Sequence, residues 1–182
     1  MERERLLNEV CIKCADFVRQ LSLHRAFDGF QGKFRQNFWI LINNNSINMA
    51  VLDWCHLFGS HSDELHWKKV VSNISEFRKN LYKHLETNET TWIVYRDNLK
   101  DHRYKNIAHI EILPLTNIPD MTFALNSVYF YYGSVIKELK KKNVYSKYPD
   151  NLTRYYEDCL KQTKVYVMSA FNATKGFEER VF

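Results

Sequence analysis

The sequence predicts an all-α protein, an up-and-down bundle of five to six helices. Three observations point there. The chain has 182 residues but only 5 Gly and 3 Pro, too few for the many tight turns of a sandwich or barrel. Its apolar residues recur at the spacing that gives a helix one buried face. Short polar connections separate these segments, so consecutive helices should pack antiparallel.

The first helix is expected over residues 2–27, where Leu6, Leu7, Val10, Cys14, Phe17, Val18 and Leu21 fall on one face. Gly29 and Gly32 end it. A second helix reads over 34–58 and stops at Gly59, and the polar stretch 59–64 is a loop. A short turn at 67–71 precedes a helix over 75–85, with Ser72 and Asn73 as candidate caps, and Asn88 is placed to cap the next. That next helix spans about 89–112 and Pro114 ends it. After the connector 115–119, helices are expected over 120–142 and 151–174, followed by a tail over 176–182. With no repeat and no internal boundary, residues 1–182 read as a single helical domain.

Lys and Arg number 26 against 21 Asp and Glu, a mildly basic balance compatible with a polyanion partner. The 11 Tyr and 12 Phe exceed what a core of this size must hide, so some rings are expected to face a partner. The start, Met1-Glu2-Arg3-Glu4-Arg5, does not resemble a signal peptide, and no apolar run approaches the ~20 residues of a membrane span. The expectation is a cytoplasmic protein without membrane association, its four cysteines (Cys11, Cys14, Cys55, Cys159) reduced.

The densest chemistry lies in Asp101-His102-Arg103-Tyr104-Lys105-Asn106-Ile107-Ala108-His109. On an α-helix the Arg103 and His109 stems stand roughly 9 Å apart along the axis and about 120° around it. Asn106 is three residues from each, the spacing at which helical side chains meet. A guanidinium fork matches phosphate oxygens, and an imidazole moves protons near neutrality. Together they could cleave RNA without a metal. One group moves the proton of the 2′-hydroxyl or of the leaving oxygen, and the other holds charge building on the phosphorus centre. The plainer alternative is a surface helix of mixed charge on which Arg and His fall by chance.

Arg103 followed by His109 resembles the signature of HEPN domains, small helical bundles with an Arg and, a few residues on, a His. The run Arg103-Tyr104-Lys105-Asn106-Ile107-Ala108-His109 is most similar to the branch associated with bacterial abortive infection. An aromatic-rich helix ahead of the motif, here Trp54-Cys55-His56-Leu57-Phe58 followed by His66-Trp67, adds to the likeness. It covers residues 35–140 and is specific in the motif helix. Tyr104 departs from it, since catalytic members usually carry Asn, Asp or His directly after the arginine.

The resemblance implies a metal-independent endoribonuclease, a toxin or antiphage effector. It would be a homodimer whose motif helices line one cleft, with no cofactor and no metal. Arg103, Asn106 and His109 would be catalytic, with His102, Tyr104 and Lys105 binding substrate. RNA is the implied substrate, and an antitoxin is a further partner for a toxin. Tyr104 keeps open a second reading, a catalytically inactive HEPN-like module that binds RNA or protein.

Other clusters have plainer readings. Cys55, His56, His61, Asp63, Glu64 and His66 have no zinc-like spacing and are expected to be structural or surface residues. Cys11 and Cys14 lie mid-helix with no strand before them and read as core thiols. The run 43–48, rich in Asn, could bond across a subunit interface, line a groove under the motif helix, or form a solvated face with a capping break. Lys137, Lys140, Lys141 and Lys142 suit a helix C-terminus, with phosphate binding as the alternative. Tyr129, Phe130, Tyr131 and Tyr132 go all the way round their helix and are mainly core.

Overall fold

The computed structural model describes residues 2–30, 36–108, 120–142 and 148–177, except the side chains of 106–108. The described elements are helical throughout: α1 (Glu2–Ala26), α2 (Asn37–Trp54), α3 (Trp67–Val70), α4 (Ile74–His84), α5 (Glu89–His102), α6 (Met121–Lys141) and α7 (Leu152–Thr174). A 3-10 turn, Asp28–Phe30, follows α1, and π-helical turns extend α2 (Cys55–Gly59) and α5 (Arg103–Ala108). The all-α bundle expected from the sequence is what forms. The helix count exceeds the expected range because the turn after His66 closes into a one-turn helix.

Helix starts follow local chemistry. Asn73, Asn88, Asp120 and Asn151 each accept a bond from a backbone N–H of the first turn, at 2.9–3.0 Å, satisfying donors that no intrahelical carbonyl can reach. Of the two candidate caps before α4, Asn73 serves. His66 is a cap the sequence reading missed, its Nδ1 accepting from Lys68 N at 3.2 Å. α4 ends with Glu86 in the left-handed region (φ 49°). Thr87 N–H reaches back to Tyr82 O and Glu86 N–H to Lys83 O, the pattern that usually takes glycine.

α1 is the central element. Its buried Leu7, Val10, Cys14, Phe17, Val18 and Leu21 are the predicted face. Antiparallel to it lies α2, as Lys13–Asp53 and His24–Asn43 contacts show. α6 is also antiparallel: Arg3 forks onto Glu138 at 3.0 and 2.8 Å, and Arg25 reaches Thr122 at 2.9 Å. α7 instead follows α1 in the same sense, with Arg19 on Tyr155, Arg25 on Tyr156 and Phe30 against Phe171. The short link between α6 and α7 still makes that pair antiparallel, with Tyr132 donating to Pro149 O and Tyr129 packing on Tyr156.

The main core is an aromatic lattice in which Trp54 stacks on Phe58 and packs against Trp92 and Tyr95. The buried indole of Trp54 donates to Ser127 Oγ at 2.9 Å. Tyr131 and Tyr132 are buried in this core, as expected. A smaller cluster of Phe27, Phe30, Trp39 and Val167 caps the far end, where α2 begins and α7 finishes. Beside it Phe38, Leu41, Tyr166 and Phe177 stay mostly exposed. Gln36 ties this end to Thr174 O and Phe177 O, which docks the first residues of the tail; 178–182 lie outside the described residues.

The asparagine-rich run does not interrupt its helix. Asn43 accepts from His24 Nδ1 at 2.8 Å, Ser46 donates to Asn43 O, and Asn44 and Asn45 are exposed. Among the described residues no helix is long and apolar enough to cross a membrane.

Candidate functional site

The motif helix keeps α geometry from Glu89 to His102 and then widens into the π-turn Arg103–Ala108. Bonds there run from i to i+5, so Arg103 is in register with Ala108 instead of Ile107. The α-helical relation expected between Arg103 and Asn106 therefore does not hold in this turn. Asn106 lies in the π-turn by its backbone; its side chain and all of His109, with the rest of the helix expected to 112, fall outside the described residues.

Arg103 is half-buried, and among the described residues no carboxylate lies at ion-pair distance from it. The two nearest acids in sequence are engaged elsewhere. Asp97 takes Arg96 at 2.9 Å and Lys100 at 3.9 Å, while Asp101 takes Lys105 at 3.9 Å. Lys105 is half-buried and Tyr104 is 54 % exposed. His102 points inward and is buried, which sets it apart from the other two residues expected to bind substrate.

Arg103 also sits at the end of a basic stripe. Arg96, Lys100 and Arg103 fall within about 60° of one another around α5 and span roughly 10 Å along it. The second π-turn, Cys55–Gly59, packs against α5. Burial pushes the Cys55 thiol up to about 11, against the pull of Arg103 and then Lys100. Two widened turns thus lie on neighbouring helices, Cys55–Gly59 against α5 and Arg103–Ala108 against α2, each with one residue more than an α-turn holds. Such turns recur at functional sites. Cys55 is itself buried and unsuited to act as a nucleophile.

The His and Cys cluster resolves into separate contacts. His56 Nδ1 donates to Asp63 at 2.9 Å. His66 Nε2 donates to Phe58 O at 3.3 Å, leaving Nδ1 as the cap acceptor, and burial first, then repulsion from His61, lowers its pKa to about 4. Among the described residues no group of three or more His, Cys, Asp or Glu side chains is gathered as metal ligands. Cys11 and Cys14 are buried core thiols, burial raising Cys11 to about 12 and Cys14 well above its ordinary value.

The sequence reading missed Arg96 and Lys100 as companions of Arg103, although their spacing in the sequence carries the signal. Compared with known proteins, the chain matches no family model, no curated protein and no solved structure.

Proposed function

We propose that the protein is a metal-independent endoribonuclease of HEPN type, a toxin or antiphage effector working as a homodimer. The observation that carries this reading is Arg103: a half-buried guanidinium with no carboxylate partner among the described residues, closing the stripe begun by Arg96 and Lys100. A cation left unneutralised in a partly desolvated position is primed for a phosphate. The stripe would track the strand, and Arg103 would hold the non-bridging oxygens of the scissile phosphate. His109 would move the proton of the attacking 2′-hydroxyl or of the leaving oxygen. Asn106 would orient the pair, with Tyr104 and Lys105 against the flanking nucleotides. His102, being buried, supports the helix from within instead of touching RNA.

One observation favours a second reading. Tyr104, directly after Arg103, is 54 % exposed, and an exposed ring beside a basic stripe suits base stacking without cleavage. In that case the protein is an RNA-binding module. Incubating RNA with the protein in EDTA, beside Arg103→Ala and His109→Ala, separates the two: cleavage lost in both variants supports the nuclease, and binding without cleavage in the wild type supports the module.

A further inference from the structure

At the opposite end of the stripe from Arg103, α3, α4, α5 and the loop before α3 enclose a polar recess of about 120 Å³. Its floor is aromatic, formed by Phe58, Trp67 and Trp92, all buried. Three cations converge on it from three elements: Lys68 from α3, Arg78 from α4 and Arg96 from α5. Glu89 is the carboxylate of the lining; it lies 3.5 Å from Arg78 and is 61 % exposed at its side chain. Asp97, outside the lining, pairs with Arg96 at 2.9 Å, so three cations face two carboxylates and the recess keeps an excess of one positive charge. His61 does not add to it, because its Nε2 accepts from Lys68 Nζ at 3.1 Å and so carries no proton there.

We propose that this recess binds a phosphomonoester: the phosphate of a free nucleotide, or the terminal phosphate of an RNA strand. The sign of the charge fits, since a phosphomonoester carries −1.5 to −2 near neutrality and the three cations offer several N–H donors. The size fits as well. At about 120 Å³ the recess has room for one tetrahedral oxyanion. Arg96 is held toward it by Asp97, to which its Nε and Nη2 donate at 3.0 and 2.9 Å, and Lys68 lies over the Trp67 ring at 5.6 Å. These contacts pre-set the two side chains, which reduces the ordering cost of binding. The cations also strain against one another: Lys68 is easier to deprotonate than usual because of burial and then the charges of Arg78 and Arg96. A dianion relieves that repulsion. An aromatic floor keeps the local dielectric low and strengthens each contact.

The site stands apart from Arg103 and does not depend on cleavage. Its test is binding, measured by calorimetry at low salt with three probes. These are inorganic phosphate, a 2′-O-methyl oligonucleotide bearing a 5′-phosphate, and the same oligonucleotide ending in a 5′-hydroxyl. The 2′-O-methyl groups prevent any cleavage from interfering. We expect saturable one-to-one binding of inorganic phosphate, weakened about tenfold or more in Lys68→Gln and in Arg78→Gln, each removing a charge-assisted contact. Both residues are partly exposed, so circular dichroism and melting should show both variants folded. Tighter binding of the 5′-phosphorylated strand than of its 5′-hydroxyl counterpart identifies a strand end as the source. Equal binding of the two strands, with phosphate still bound at the recess, identifies a free phosphomonoester. Absence of saturable phosphate binding, or phosphate binding unchanged in both variants, overturns the proposal.

Discussion

Gly59 and Lys100 meet across the two helices that carry the π-turns: a methyl at Gly59 would stand 3.6 Å from Lys100 Cγ and 3.1 Å from the Cβ of Cys55. The first contact is ordinary packing. The second is tight, and Cys55 is fully buried and cannot easily give way. The missing side chain thus lets the turn close on Cys55, its own first residue. Gly59→Ala should cost about 1–3 kcal/mol by overpacking, less up to about 1 kcal/mol regained from helix propensity. Chemical denaturation measures this, and a more stable variant would show that the turn has slack.

His66 makes stability depend on pH. Its folded pKa is lowered from 6.5 to about 4, by burial first, so the native state favours the neutral ring. Its contribution is fully present above the unfolded value of 6.5 and is lost as pH falls through 6.5 toward 4. The window is worth about 3 kcal/mol for a group that is 1 % exposed. Stability measured from pH 7 to pH 4 should fall across that interval. In His66→Asn, which keeps a cap acceptor but cannot titrate, the fall should be smaller, and an equal slope in both proteins would remove His66 as its cause.

The bond from Trp54 to Ser127 fastens α2 to α6 inside the core. Ser127→Ala leaves the indole N–H buried with no acceptor in place of the hydroxyl, at a cost of about 1–3 kcal/mol. Thermal melts should register this as a clear drop in Tm. A change below about 0.5 kcal/mol, the usual scale of a surface substitution, would mean that the indole finds another partner.

Much of the fold was legible because helices advertise themselves locally. The apolar stripe of α1 named its buried face, and Asn73, Asn88 and Asn151 marked helix starts. What could not be read were features set by tertiary contact. The π-turns after Trp54 and His102 leave no periodic signature, because one added residue shifts the pattern without breaking it. The burial of His102 depends on how the helices pack, and the cap made by His66, although local, needs its ring turned by the bond to Phe58 O. The convergence of Lys68, Arg78 and Arg96 needs three helices to be placed before it exists. Arg103 was visible from its own motif, but its lack of an acidic partner among the described residues was not.

Assembly is open to direct measurement. The described exposed apolar residues include Phe38, Leu41 and Tyr166 at the α2–α7 end as well as Val94 and Tyr104 on the motif helix. A homodimer formed through the motif helix should bury Val94, so Val94→Glu should shift the protein toward monomer in light scattering. A wild-type monomer at tens of micromolar would remove the composite cleft.

The most direct test of the central claim is RNA cleavage in EDTA by the wild type, Arg103→Ala and His109→Ala, with a thermal melt on each. Cleavage by the wild type is expected, with a loss in His109→Ala of about 10²–10⁴-fold, the usual worth of a positioned proton donor or acceptor. Arg103→Ala should lose a comparable factor through its charge, and the wild-type Tm should be kept in both. Undiminished cleavage in His109→Ala, or variants that lose stability instead of activity, would contradict the claim.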